Sequence, residues 1–198
     1  VGRKPAIANL NLNAVGVETN EKGYILVNNR MQTTADNIYA IGDVVGGPLL
    51  AHVASAEGIV AVENIAKIDR TMDYTCIPSS VFSIPEFASV GMREIRAKDQ
   101  DMKIRTGTFN FRGCGKAMAM DETTGVVKVI AEDEGKIIGA TVFGPHASDL
   151  IHIFSLAIYT GLRPEDMEHM IFAHPTLAEA LKESVDDVMG RAIHKVKM

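Results

Sequence analysis

The residues best suited to chemistry lie near the end of the 198-residue chain, between His174 and Glu179. Pro175 favours extended backbone at His174, and the pattern from Thr176 to Glu179 is a capping box that begins a helix. The first helical turn would bring the Glu179 carboxylate within reach of the imidazole. A carboxylate on one ring nitrogen fixes the tautomer and makes the other nitrogen more basic. The pair could therefore take a proton from a thiol, or it could simply cap a helix.

A second candidate site is Gly42-Asp43, which follows the apolar run at residues 38–41. Such a run indicates a strand buried on both faces of a parallel sheet, and open α/β sheets bind ligands at the carboxyl ends of their strands. A helix predicted at residues 49–68 would offer N–H groups and a positive dipole end nearby. The arrangement suits ligand hydroxyls and a group that gains negative charge. Alternatively, Gly-Asp only ends a strand and turns the chain.

The string at residues 37–44, preceded by Thr33, resembles the second flavin-binding motif of the pyridine nucleotide–disulfide oxidoreductases. The resemblance implies that Asp43 binds the ribityl chain of FAD and that Gly42 lets the cofactor approach the backbone. The next segment looks like the one that lies under the flavin ring in the dihydrolipoamide dehydrogenases of this family. There, a helix N-terminus faces the ring edge that collects charge on reduction. The residues implied in that contact are Leu49, Leu50, Ala51 and His52.

The segment that contains His174 and Glu179 is similar to the His-Glu signature of the same family. The resemblance implies that this pair is the general base for the redox disulfide of the other subunit in a homodimer. It also implies that the backbone at Pro175 contacts that subunit's flavin. The start of the chain resembles the family's connection from its NAD domain to its FAD domain, which implies that Gly2 lies near NAD.

Strand and helix signals indicate an α+β fold for the second part of the chain, with a boundary near residue 71. An antiparallel sheet with helices is expected, because predicted strands come first and predicted helices follow. We therefore predict that residues 1–70 are the C-terminal segment of an FAD-binding α/β domain and that residues 71–198 form an interface, or dimerisation, domain. The predicted strands lie at residues 81–84, 109–111, 126–130 and 136–142, and the predicted helices at residues 148–160, from residue 164, and at residues 177–189.

Composition favours an ordinary soluble globular protein, with 46% hydrophobic residues, 23% charged residues and a formal net charge of −5. The sequence has no cluster of basic residues that could neutralise phosphates, so no nucleic-acid partner is expected. No apolar run approaches the roughly 20 residues of a membrane span, so no membrane association is expected. Cys76 and Cys114 are too few and too far apart for a disulfide framework or a metal cluster, so we predict no metal site and a cytoplasmic setting. Cys114 is predicted to be a loop thiol without a role.

The resemblance implies an enzyme larger than this chain. Such an enzyme needs a Gly-rich phosphate loop for FAD, a Cys-x4-Cys redox pair and an NAD domain, and the sequence contains no G-x-G-x-x-G. We therefore expect the isolated chain to be inactive and to bind FAD and NAD poorly.

In the full enzyme, NAD+ would oxidise a dihydrolipoamide dithiol, such as one carried by a 2-oxo acid dehydrogenase or glycine cleavage complex. Two alternatives stay open at this point. The chain could be a self-associating dimerisation module without chemistry, or the same part of a glutathione or mercuric reductase.

Overall fold

Turns, rather than strands, dominate the first part of the chain in the computed structural model, which describes residues 2–195. The run at residues 38–41 pairs only through an isolated bridge between Gln32 and Tyr39, and Ile41 is 40% exposed. The prediction of a fully buried parallel strand is therefore wrong for the described residues. A strand is buried on both faces only when neighbouring strands and covering helices flank it, and one bridge does not provide them.

The described chain divides into two compact units, with the division between Tyr74 and Thr75. Val1 and residues 196–198, which belong to the two predicted domains, lie outside the described residues. The first unit contains helix α1 (Ala51–Ile65), which is shorter at both ends than predicted. One face of α1 is buried, and its residues recur at helical spacing: Val53, Glu57, Val60 and Ala61.

Five antiparallel strands form the sheet of the second unit, in the order β1-β2-β5-β4-β3. Their bounds are β1 (Ser79–Val81), β2 (Glu86–Gly91), β3 (Ile104–Asn110), β4 (Val126–Glu132) and β5 (Ile137–Gly144). The predicted antiparallel sheet is confirmed. Strand β2 was not predicted, because its residues are mostly small or polar and give a weak strand signal.

Helices cover this sheet and close its core. They are α2 (Glu94–Asp99), α3 (Gly115–Ala119), α4 (Ala147–Thr160), α5 (Pro164–Glu168) and α6 (Glu179–Val188). Helix α4 packs on β2 and β5, and α6 packs on β3 and β4. Phe154 of α4 and Leu181 of α6 are fully buried in one cluster with Val129 of β4. The α+β class is confirmed. None of the helices in the described part of the chain is long and apolar enough to cross a membrane.

Helix α6 lies unusually close to β3, and Gly107 makes this possible. A Cβ atom at Gly107 would lie 2.1 Å from the carbonyl oxygen of Ser184 and 2.6 Å from the backbone nitrogen of Val188. The side chain of Asp187 adds a direct tether, since its Oδ2 accepts a hydrogen bond of 2.7 Å from the backbone N–H of Thr108. These contacts determine where Glu179, the first residue of α6, lies.

Candidate functional site

His174 and Glu179 are in contact: Nδ1 of the imidazole lies 2.9 Å from Oε1 of the carboxylate. The other carboxylate oxygen, Oε2, accepts a hydrogen bond of 2.8 Å from the backbone N–H of Thr176. The contact expected from the sequence is therefore present. The side chain of His174 is 76% exposed. Glu179 contacts Nδ1, so the second ring nitrogen, Nε2, is not bonded to this carboxylate.

The predicted capping box forms only in part. Helix α6 begins at Glu179 with Ala178 at its N-cap, so Thr176 is not the cap residue. The hydroxyl of Thr176 donates a hydrogen bond of 2.7 Å to the carbonyl of Ala173 instead. The peptide bond between His174 and Pro175 is cis. Of the two hydrogen bonds of a capping box, only the one from the backbone N–H of Thr176 to the carboxylate of Glu179 forms.

The carboxylate of Glu179 is held in its charged form. Partial burial by itself would raise the pKa of Glu179, but the hydrogen bonds from the Thr176 N–H and from His174 outweigh this effect. The nearby His194 also acts in the lowering direction, and the net pKa is below its usual value. An ionised Glu179 accepts the Nδ1–H of His174, which leaves Nε2 as the nitrogen that can exchange a proton.

The pair lines a cavity of about 460 Å³ in the second unit. The apolar residues that line it include four that are at least 45% exposed, namely Met118, Met170, Ile171 and Ile193. Cys114 also lines the cavity and is 3% exposed, with its Sγ 3.4 Å from the carbonyl oxygen of Thr176. Cys114 lies between two helical segments, as the N-cap residue of α3, and its side chain is buried in the core. No group of three or more side chains suited to holding a metal ion occurs among residues 2–195.

The other predicted site lies in the first unit. Gly42 and Asp43 belong to a 3-10 turn, Gly42–Val45, rather than to the end of a strand. Gly42 has a φ of +75°, a conformation that favours glycine, and a Cβ there would lie 3.3 Å from the Cβ of Ala54. The carboxylate of Asp43 is 48% exposed and accepts a hydrogen bond of 2.8 Å from Nη1 of Arg3.

The N-terminus of α1 packs against this turn. Leu50 is the N-cap residue and makes no side-chain capping bond; Ala51 and His52 are exposed, and Leu49 is half-buried. An exposed carboxylate beside a 15-residue helix without a side-chain cap fits a ligand that has hydroxyls and an electron-accepting ring. Gly2 is exposed, and a Cβ atom there would have no described neighbour within 4 Å.

Glu57 is a residue that sequence reasoning missed. Its side chain is 1% exposed, its Oε2 accepts a bond of 2.6 Å from the backbone N–H of Gly42, and its Oε1 accepts one of 2.7 Å from the hydroxyl of Tyr74. Glu57 therefore holds the turn that carries Asp43. A signal was present in the sequence, because Glu57 is a lone acidic residue on the apolar face of α1.

We predict that Tyr74→Phe lowers the free energy of unfolding by about 1–3 kcal/mol at pH 7, because Glu57 loses a hydrogen-bond donor. Burial, the bond to Glu57 and the charge of Glu57 all raise the pKa of Tyr74. The folded state thus keeps the phenol proton when the unfolded chain releases it near pH 10, so the parent should lose stability as the pH rises above 10.

Urea unfolding at pH 7, 9 and 11 measures both effects. The Tyr74→Phe variant should lack this part of the alkaline loss. The matched control Tyr159→Phe, at a side chain that is 75% exposed, should change stability at pH 7 by less than about 0.5 kcal/mol. Equal alkaline losses in the parent and in Tyr74→Phe would contradict the prediction.

Comparison with known proteins identifies the family. Residues 77–185 match the family model described as the pyridine nucleotide–disulphide oxidoreductase dimerisation domain, and residues 1–58 match a second model of pyridine nucleotide–disulphide oxidoreductases. The dihydrolipoyl dehydrogenase of Geobacillus stearothermophilus is 44% identical over 98% of this chain, and the match spans 42% of that relative. The mitochondrial dihydrolipoyl dehydrogenase of Pisum sativum is 41% identical over 98% of this chain and 39% of its own length.

Solved structures agree with the sequence comparison. LpdA from Mycobacterium tuberculosis superposes with a TM-score of 0.89 at 26% identity, covering 96% of this chain and 42% of that protein. The HOCl-induced flavoprotein disulfide reductase RclA from Escherichia coli superposes with a TM-score of 0.86 at 30% identity, covering 93% of this chain and 43% of RclA. The chain thus spans about two fifths of the length of the proteins it matches. Because the dimerisation-domain model matches more than half of its residues, this chain belongs to the pyridine nucleotide–disulphide oxidoreductase family.

Proposed function

We propose that this chain is the C-terminal part of a flavin-dependent dihydrolipoamide dehydrogenase, which uses NAD+ to oxidise a dihydrolipoamide dithiol. In this proposal, residues 1–70 complete the FAD-binding domain and residues 71–198 form the interface domain of a homodimer. The observation that carries the proposal is the contact between His174 and Glu179. An exposed imidazole with a carboxylate behind it is suited to take the proton from a dithiol.

The proton transfer follows from the geometry of the pair. The Nε2 of His174 accepts the thiol proton and leaves a thiolate, which is the reactive nucleophile. Glu179 holds the Nδ1–H and stabilises the positive charge that the ring gains, since its second oxygen stays bonded to the N–H of Thr176. Cys76 and Cys114 form no disulfide with each other. The redox disulfide in this proposal therefore lies in the N-terminal part of the full-length enzyme, where His174 reaches it from the other subunit, and the isolated chain is inactive.

The first unit offers residues that would hold the flavin. FAD, when bound, supplies two-electron transfer between the disulfide and NAD+. Asp43 would accept hydrogen bonds from the ribityl hydroxyls, and Gly42, fixed by Glu57, would let the cofactor approach closely. The N-terminus of α1 would face the ring edge that becomes negative. The backbone positions assigned to that contact are Leu49, Leu50, Ala51 and His52.

Three further assignments belong to the same proposal. Pro175 contacts the flavin of the partner subunit, and Gly2 lies near NAD. The dithiol is carried by a 2-oxo acid dehydrogenase or glycine cleavage complex. The cytoplasmic setting, inferred from the small number of cysteines, also stays a prediction.

A substrate comparison with the full-length enzyme tests the proposal. We expect reduction of NAD+ with dihydrolipoamide, and much slower oxidation of NADPH with glutathione disulfide or mercuric ion. The flavin spectrum of the purified protein serves as the control for cofactor loading. Preferential turnover of glutathione disulfide or mercuric ion would replace the dihydrolipoamide assignment with the corresponding reductase.

The exposed apolar residues around the His174 cavity support the homodimer. Ile171 is 98% exposed, Ile193 is 80% exposed and Met118 is 56% exposed, which is unusual for apolar side chains so close together. A partner subunit over this surface would exclude water from them. It would also bring its disulfide toward His174.

We predict that Ile171→Glu weakens the dimer of the full-length enzyme at least about 100-fold, because an unpaired carboxylate would be buried in the interface. The substitution should not unfold the subunit, since the side chain is almost fully exposed within it. Sedimentation velocity over a range of concentrations measures the change. The matched control is Ile95→Glu on α2, where the side chain is 66% exposed, and it should leave the dimer intact. Equal sedimentation of both variants as dimers would place the interface elsewhere.

A further inference from the structure

The thiol of Cys114 lines the same cavity as His174 and Glu179. Its Sγ lies 3.4 Å from the carbonyl oxygen of Thr176, within the range of a thiol–carbonyl hydrogen bond. The side chain of Cys114 is 3% exposed, so water does not compete for this bond. The bond joins the start of α3 to residues 173–179 (the base segment), which carry the imidazole and the carboxylate.

Thr176 is the central residue of the base segment. Its backbone N–H donates a hydrogen bond of 2.8 Å to Oε2 of Glu179, whose Oε1 lies 2.9 Å from Nδ1 of His174. Its hydroxyl donates a bond of 2.7 Å to the carbonyl of Ala173, on the other side of the imidazole in the chain. The position of Thr176 therefore decides where both the carboxylate and the imidazole lie, and Cys114 holds the carbonyl of this residue.

Backbone pairing does not fix the base segment. No backbone–backbone hydrogen bond joins residues 171–176 to another residue within the described range 2–195. Ala173, His174 and Pro175 are exposed, so packing holds them weakly. The contacts that remain are the buried side chain of Leu177 and the bond from Cys114.

The other polar side chains that line the cavity bond to one another rather than to the base segment. Oε1 of Glu183 lies 2.7 Å from Nδ1 of His194, and Nζ of Lys182 lies 2.8 Å from Oδ2 of Asp186. Among the cavity-lining residues that the structure describes, Cys114 is the one outside the base segment whose side chain bonds to it.

The support beneath Cys114 is rigid. Its backbone N–H donates a hydrogen bond of 2.9 Å to the carbonyl of Phe111, which is fully buried, and its carbonyl accepts one of 3.0 Å from the N–H of Met118. The next residue, Gly115, lies beside the base, since a Cβ there would be 4.0 Å from Cε1 of His174. The thiol is thus held in the core directly next to the segment that it contacts.

We propose that Cys114 is a positioning residue for the base. In this proposal, which rests on the function assigned to His174 above, the thiol holds Thr176, and Thr176 holds the carboxylate of Glu179 against the imidazole. The thiol is neither a nucleophile nor a redox partner. A thiol is a weak donor, so its bond adds little to stability. Its effect on rate is larger, because a displacement of about 1 Å in a catalytic group can cost about 100-fold.

Substitutions of Cys114 in the full-length enzyme test this role. Cys114→Val fills the space of the thiol without a donor, and it should lower kcat for dihydrolipoamide oxidation by NAD+ about tenfold. Cys114→Ser retains a donor, so its kcat should stay within about threefold of the parent, with the shorter reach of the hydroxyl causing the remaining loss.

Cys76→Val is the matched control. The Sγ of Cys76 donates a hydrogen bond of 3.1 Å to the carbonyl of Ser155 in α4, so this variant loses the same kind of bond. Cys76 does not line the cavity, and kcat should change by less than about twofold, as for other substitutions away from a catalytic group.

A second reaction separates positioning from general damage. Oxidation of NADH by ferricyanide draws electrons from the reduced flavin and needs no base for a dithiol. Cys114→Val should keep this rate within about twofold of the parent, whereas a substitution that only disturbs the fold or the cofactor lowers both rates together. The flavin absorbance of each variant gives the cofactor content to which the rates are normalised.

The outcomes distinguish this inference from the proposed function. A parental kcat in Cys114→Val overturns the inference, as does a Cys114→Ser enzyme that is as slow as Cys114→Val, or an equal loss in the ferricyanide reaction. If Cys114→Val does not fold, Cys114→Ala lacks the donor without added volume and carries the same comparison. Full turnover by a His174→Gln enzyme rejects the base itself. Loss of turnover in that enzyme, with parental turnover in the Cys114 variants, rejects only the positioning role.

Discussion

Replacing His174 with glutamine in the full-length enzyme is expected to lower kcat for dihydrolipoamide oxidation by about 10²- to 10⁴-fold, the usual contribution of a general base. Glutamine retains a group that can bond to Glu179 across the 2.9 Å contact, but it cannot accept a proton near neutral pH. Because the parent side chain is 76% exposed, the fold should tolerate the change. Stopped-flow measurement of flavin reduction by the dithiol would locate the loss in that half-reaction.

Two comparisons sharpen this result. Glu179→Gln should cause a smaller loss, because the imidazole remains but the charge that stabilises its protonated form is gone. His169→Gln, at an exposed histidine outside the cavity, should keep kcat within about twofold, as surface changes away from special features usually do. A His174→Gln enzyme that reduces its flavin at the parent rate would show that another group takes the thiol proton.

The largest effect on stability is expected from Gly107→Ala, which should lower the free energy of unfolding by about 3 kcal/mol or more. The new Cβ would lie 2.1 Å from the carbonyl oxygen of Ser184 and 2.6 Å from the nitrogen of Val188. Both atoms are helix backbone, so α6 as a whole would have to move away from β3. Urea unfolding of the chain, followed by circular dichroism, measures the loss.

Helix α6 also carries Glu179, so a full-length Gly107→Ala enzyme that folds should lose activity as well. Gly115→Ala is the matched control, because a Cβ there would meet only Cε1 of His174 at 4.0 Å, an ordinary contact. That variant should change stability by no more than about 1 kcal/mol, with alanine favoured in the helix. A Gly107→Ala chain as stable as the parent would mean that α6 can shift on the sheet at little cost.

Some helix ends and turns could be predicted from single residues. Gly161 ends α4 with a φ of +71°, and Pro164 begins α5, as the sequence indicates. Strand β4 ends at Glu132 and β5 begins at Ile137, so the turn between them lies close to the gap between the predicted strands at residues 126–130 and 136–142. These features depend on the backbone preferences of single residues, namely the positive φ that glycine allows and the fixed φ of proline.

Longer helices and strands were harder to predict where their formation depends on burial and pairing. Residues 38–41 have the composition of a buried strand, but strand formation depends on pairing partners, and the described residues supply one isolated bridge. Helix α6 was expected from residue 177, yet it begins at Glu179, because Leu177 and Ala178 form a turn first. The extra strand β2 pairs with β5 along its whole length, and this pairing compensates for its weak strand signal.

The contacts of the candidate site are likewise of two kinds, those between residues close in sequence and those between distant residues. The contact between His174 and Glu179 joins residues five positions apart, so the proline and the first helical turn already limit where the two side chains can lie. Glu183 meets His194 only because the chain turns back beside α6, and Glu57 meets Gly42 and Tyr74 only because α1 packs on a turn. Contacts within one turn follow from backbone geometry that neighbouring residues set. Contacts between distant residues depend on the path of the chain, which packing of the whole unit selects.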